Sequence, residues 1–156
     1  MPPGPREYHC YTDGSCKAAA GAPGGWGFVL KSPGLPSLEG YGKATGTLAK
    51  VMEYQAVAEA LAALPSGVSA VVFCDDRTLV ENLTKNLANW VVNKFTNVDP
   101  LLVESARRIA SSVRDQQLSV RWQWLRAHNG NPGNERADAL AAQGAREAKS
   151  ELAARK

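Results

Sequence analysis

Cysteine is scarce in this chain. Cys10, Cys16 and Cys74 are odd in number and form no CxxC pair, which argues against both a disulfide framework and a zinc site. They read as reduced thiols. Long apolar runs are missing as well: the stretches Val68–Cys74 and Leu48–Leu64 are too short, or too interrupted by Lys50, Glu53 and Glu59, to span a bilayer. No internal repeat is visible, and the start from Met1 to Glu7 is proline-rich without an apolar signal core. These absences exclude a repeat array, a disulfide-stapled secreted domain and a membrane span. The chain is expected to stay in the cytoplasm and, separately, to be a monomer.

What is present fits one ordinary domain. With 156 residues, 44% hydrophobic and 21% charged, the chain is long enough to bury about two thirds of its unfolded surface around one core. Residues 1–7 read as a flexible start, 8–145 as a single domain and 146–156 as a frayed helix end. The formal charge of +3 is a weak pointer to an anionic partner. Arg107, Arg108, Arg114, Arg121, Arg126, Arg136, Arg146, Lys149, Arg155 and Lys156 all lie in the last third, which suits a solvated helical face as well as a phosphate-facing one.

Patterning divides the chain into elements. His9–Thr12 and Gly24–Leu30 read as strands joined in a hairpin, and the glycine-spaced stretch Glu39–Thr47 as a third, edge-like strand. From Lys50 to Leu64 the period becomes helical, with Val51, Tyr54, Val57, Ala58 and Leu61 on one stripe. Val68–Cys74 reads as a strand buried on both faces, and Asp75-Asp76 as the start of a helix carrying Leu79, Val80 and Leu83. Asn86–Asn97 is a short helical or irregular piece. Asp99-Pro100 predicts a helix start, with the helix reaching about Val113. Leu118–Leu125 alternates as a strand, and Asn131-Pro132-Gly133 opens a last, alanine-rich helix. The order β-β-β-α-β-α-α-β-α predicts an α/β fold, a mixed sheet flanked by helices.

Within this frame Asp13, Glu53, Asp76 and Asp138 stand at element ends or near apolar stripes. Several like charges gathered in a core are prohibitive unless a cation neutralises them, so scattered acids of this kind predict a divalent-metal site assembled by folding. Each acid has a plainer reading alone: an Asx-turn for Asp13, a snorkelling side chain for Glu53, a helix cap for Asp75 or Asp76. Because strand side chains alternate, only one of Asp75 and Asp76 is expected to face the site.

Taken together, Tyr11-Thr12-Asp13-Gly14-Ser15, Gly24-Gly25-Trp26-Gly27, Met52-Glu53, and Asn134-Glu135-Arg136-Ala137-Asp138 after His128 resemble the ribonuclease H type 1 family, in order and spacing, from about His9 to Ala142. The resemblance implies a ribonuclease H-like fold with a five-stranded mixed sheet. It also implies an endonuclease that hydrolyses the RNA strand of RNA/DNA hybrids, leaving 5′-phosphate and 3′-hydroxyl ends. Its metal-binding acids fall on Asp13, Glu53, Asp76 and Asp138, and its mobile histidine on His128. Two Mg2+ ions about 4 Å apart, or Mn2+ in their place, would activate water and stabilise the leaving oxygen. Asp13 is expected to bridge both. Gly14, Ser15, Cys16, Thr78 and Asn134 are the expected substrate contacts, reading shape and 2′-hydroxyls.

The chain departs from that family pattern in several places. Ala49-Lys50-Val51 precedes Glu53 where asparagines and an arginine are usual, and Arg77 and Thr78 follow the third acid, with Arg77 expected to pair with Asp75 or with a phosphate. The family's basic handle is largely missing, since Lys94 is the one cation between Asn86 and Val98. Weaker substrate binding follows, with Arg121, Arg126 and Arg136 as candidates to compensate. The altered contacts keep a noncatalytic hybrid-binding module of the same fold as the alternative.

Overall fold

The computed structural model describes residues 7–19 and 21–155. Five strands, β1 (Glu7–Cys16), β2 (Ala22–Lys31), β3 (Leu38–Thr47), β4 (Ser69–Cys74) and β5 (Ser119–Trp124), form one sheet in the order β3-β2-β1-β4-β5. The first three are antiparallel neighbours, while β4 runs parallel to both β1 and β5. The helices are α1 (Ala49–Ala62), α2 (Arg77–Val92), α3 (Val103–Asp115) and α4 (Pro132–Ala154).

Strand alternation produces two cores. Cys10, Phe28, Leu30 and Val72 point to one face, where they meet Val57 and Leu61 of α1 and Ile109 of α3. Val29 points to the other and packs with Ala137 and Leu140 of α4, with Tyr11 beside them. α1 is buried on nearly every side because it lies between the sheet and α3, which explains its small and apolar composition. On the opposite face α4 crosses the sheet at backbone distance. A Cβ on Gly27 would stand 2.7 Å from the carbonyl oxygen of Ala137, so the glycines of β2 set the depth of that helix.

Several boundaries differ from the sequence expectation. β1 extends past Asp13 to Cys16, so Gly14-Ser15-Cys16 is paired strand, opposite Trp26, Gly25 and Gly24, and not a turn. Asn86 onward continues α2, placing Trp90 in the core. Asp99-Pro100 forms a turn and α3 begins at Val103, because the Asp99 carboxylate is drawn into an ion pair with Lys50 at 2.5 Å as well as accepting from the Leu101 amide. The last helix, expected to run on to the C-terminus, is helical to Ala154. Contacts to β3 accompany it: Tyr41 Oη donates to Glu147 at 3.2 Å and Lys43 pairs with Glu151 at 3.3 Å. Of the start expected to be flexible, residues 1–6 lie outside the described residues, and Glu7 opens β1 opposite Ser69. No helix among the described residues is long and apolar enough to cross a membrane.

Candidate active site

Parallel pairing of β1 with β4 brings two carboxylates to one end of the sheet. Thr12 and Cys74 are the last register partners of β1 and β4, so Asp13 and Asp75 stand side by side where that pairing ends, while β1 stays paired with β2. Glu53 reaches the same point from α1 and Asp138 from the second turn of α4. Gly14 joins the pieces. Its amide donates both to Asp13 Oδ1 at 2.9 Å and to Glu53 Oε1 at 3.0 Å, and a Cβ at this position would lie 2.5 Å from the Glu53 nitrogen. Only glycine allows α1 to approach β1 this closely.

Crowding shows in the acid–base balance. Burial raises the pKa of Asp13 far above the ordinary carboxylate range; the charges of Glu53 and Asp75 add to this, as do carboxyl hydrogen bonds with Glu53 and Asp138. Burial also raises Glu53, opposed by the hydrogen bond from Asp13 and by the Gly14 amide. Asp75 is raised by burial and by the charges of Asp138 and Asp76, with His128 pulling the other way. A buried cluster of carboxyls that raise one another's pKa has the donor chemistry of an oxygen-ligand cation site. Glu53, Cys74 and Asp75 each offer a ligand atom within 4.8 Å of the others. The Cys74 thiol, 3.5 Å from Glu53 Oε2, is held protonated by burial and the neighbouring acids. The carboxylates are therefore the fitting donors for a hard divalent ion.

The third acid expected from sequence requires correction. Asp76 turns its Oδ1 back to accept the Leu79 amide at 3.0 Å and serves as the N-cap of α2. Asp75 is the member that faces Asp13, its backbone oxygen accepting from Trp124 Nε1 at 3.2 Å. Arg77 does not pair with Asp75 either; its guanidinium lies 4.5 Å over the Trp124 ring. The strand ends at Cys74 as expected, and what sequence reasoning could not decide is which of the two following acids turns back to cap α2 and which faces the site.

The remaining expected residues are placed as follows. His128 is exposed, with a left-handed φ of 55°, in the turn between β5 and α4, close enough for its charge to act on Asp75. Asn131 caps α4 by accepting from the Asn134 amide at 3.0 Å, and Asn134 is buried. Thr78 is exposed on the first turn of α2. Ser15 and Cys16 are half-buried along β1, where Cys16 Sγ lies 3.6 Å from the Thr47 carbonyl. The Gly14 amide, already shared between two carboxylates, is not a free donor to a ligand. Arg136 is engaged with Glu39 through two hydrogen bonds of 2.8 and 3.0 Å, and Arg121 stands 3.9 Å from Glu7.

Known proteins resemble this chain throughout. The RNase H family model matches residues 5–146. A ribonuclease H of Polaromonas naphthalenivorans (strain CJ2) is 37% identical over 143 residues, covering 90% of this chain and 88% of that protein. One of Bordetella avium (strain 197N) is 39% identical over 137 residues, covering 86% and 87%. Among solved structures, LC9-RNase H1 superposes with a TM-score of 0.77 at 21% identity, over 94% of this chain and 75% of that one. LC11-RNase H1, solved in complex with an RNA/DNA hybrid, superposes at 0.70 and 21% identity, over 90% and 98%.

Proposed function

The chain belongs to the RNase H family and is a ribonuclease H, and from that premise we propose that it cuts the RNA strand of RNA/DNA hybrids internally, with divalent metal held by Asp13, Glu53, Asp75 and Asp138. The observation that carries this reading is the convergence of the other three acids on Asp13 from α1, the end of β4 and α4. Two Mg2+ ions, when bound, would supply activated water and charge relief at phosphorus. The rest is assigned to the protein's own groups. Asp13, central to the cluster, orients the others and sets the position of the scissile phosphate. His128, exposed on its turn, moves the proton that the attacking water releases. Water adds to phosphorus and the bond to the 3′ oxygen breaks, so the products carry a 5′-phosphate and a 3′-hydroxyl.

Strand choice rests on the 2′-hydroxyl, which DNA lacks. Ser15 and Cys16, which follow Asp13 on β1, and the exposed Thr78 are assigned to reading the substrate's minor groove, whereas Asn134 is buried and is not.

The test is incubation with labelled RNA/DNA hybrid, duplex RNA and duplex DNA in Mg2+, Mn2+ or chelator. Cutting of the hybrid's RNA strand with either ion, abolished by chelation, supports the reading. Binding without cutting in both ions would overturn it in favour of a hybrid-binding module.

A further inference from the structure

A groove of about 620 Å³ lies beyond the acid cluster, between the end of β1 and the C-terminal half of α4. Its floor is apolar, made by Pro23, Ala142, Ala145 and Leu152, while Lys17 on one side and Arg146 and Lys149 on the other add positive charge. All three cations are exposed, and none takes part in an ion pair among the described residues. α4 sorts its charges by side: Glu147 and Glu151 turn to Tyr41 and Lys43 of β3, whereas Arg146 and Lys149 line the groove. An unneutralised cationic rim over an apolar floor fits an anion that also presents carbon.

Two features favour nucleic acid over an acidic peptide. First, the groove continues the acid site, since Ser15 and Cys16 belong both to its wall and to the strand that carries Asp13. Three strand residues from Asp13 to Cys16 span about 10 Å, roughly three base pairs of duplex at 3.4 Å each. Second, the lining holds no aromatic ring on which a base could stack, so sugar edges would meet the floor and phosphates the rim. Resting on the function proposed above, we infer that this groove is an auxiliary track for the hybrid's backbone as it leaves the acid cluster, supplying on the α4 side phosphate contacts that the cation-poor stretch between Asn86 and Val98 does not.

The test compares wild type with the triple variant Lys17→Gln, Arg146→Gln, Lys149→Gln. Binding is measured against salt for a short hybrid ending at the acid cluster and for one extended past it. With the extended hybrid the variant should bind more weakly, and its slope of log affinity against log salt should be shallower by up to about 2.7, at about 0.9 per lost phosphate contact. Cutting of the short hybrid should be unchanged, which shows that the variant is folded. If the slope on the extended hybrid stays the same while wild type still cuts, this inference falls and the proposed function stands. A wild type that neither binds nor cuts hybrid overturns both. Loss of binding to a labelled Glu/Leu peptide, with hybrid binding intact, would assign the groove to a protein partner and overturn the track.

Discussion

Asp75 and Asp76 separate the two tasks that a carboxylate can perform at the end of a strand. Asp75 faces Asp13 across parallel strands, whereas Asp76 caps α2. Asp75→Asn is expected to lower hybrid cutting by more than about 100-fold, beyond the loss typical of a supporting contact around a metal site. Asp76→Asn should leave cutting unchanged, because asparagine caps a helix as well as aspartate does. Asp76→Ala should still cut but lose about 1 kcal/mol of stability in urea melts. Near-normal cutting by Asp75→Asn would exclude it from the site. Asp13, Glu53, Asp138 and His128 were legible as motif residues. The choice between Asp75 and Asp76 was not, since both follow the strand end at Cys74 and differ only in which side chain turns back to cap α2.

At the scale of elements, close packing through glycine positions the acids. Gly14→Ala would force α1 away from β1 and disturb Glu53 with it. We expect loss of both stability and cutting, by about 1–3 kcal/mol in denaturant melts, the usual cost of overpacking. Ile109→Ala, fully buried against the same face but remote in sequence from the acids, should cost about 2–5 kcal/mol while cutting persists in the folded fraction. Unchanged stability in either variant would contradict the packing described. All nine elements were readable from hydrophobic period and punctuation. The boundaries that failed have tertiary causes: pairing with β2 extends β1 past the glycine after Asp13, and the Lys50 pair holds Asp99 in a turn. Burial of Trp90 draws Asn86–Val92 into α2. Lys50 stands far from Asp99 in sequence, and although the β2 partners of Gly14, Ser15 and Cys16 are near, their pairing across a hairpin is not a feature of hydrophobic period.

For the whole molecule, the acid cluster is a cost that the fold carries for function. The folded-state pKa of Asp13 is raised, so above the ordinary carboxylate range the folded protein binds more protons than the unfolded chain does. Stability without metal therefore falls as pH rises from that range toward the raised value, by at most about 1.4 kcal/mol per pH unit per group. The effect is opposite in Glu39, Asp99 and Asp115, whose lowered pKa values add stability that is lost as pH falls through them. These groups confine their influence to acid pH and leave the upper window to the cluster. Asp13→Asn should be more stable than wild type without metal, with the difference growing from pH 5 to pH 8.

The most direct test of convergence is the melting temperature of wild type and Asp13→Asn at pH 5 and pH 8, with and without Mn2+. The account predicts that Mn2+ raises the wild-type value most at pH 8, where ion binding removes the repulsion among the acids, and that Asp13→Asn loses most of that rise. An equal rise in both proteins at both pH values would show that the ion binds elsewhere and contradict a shared site.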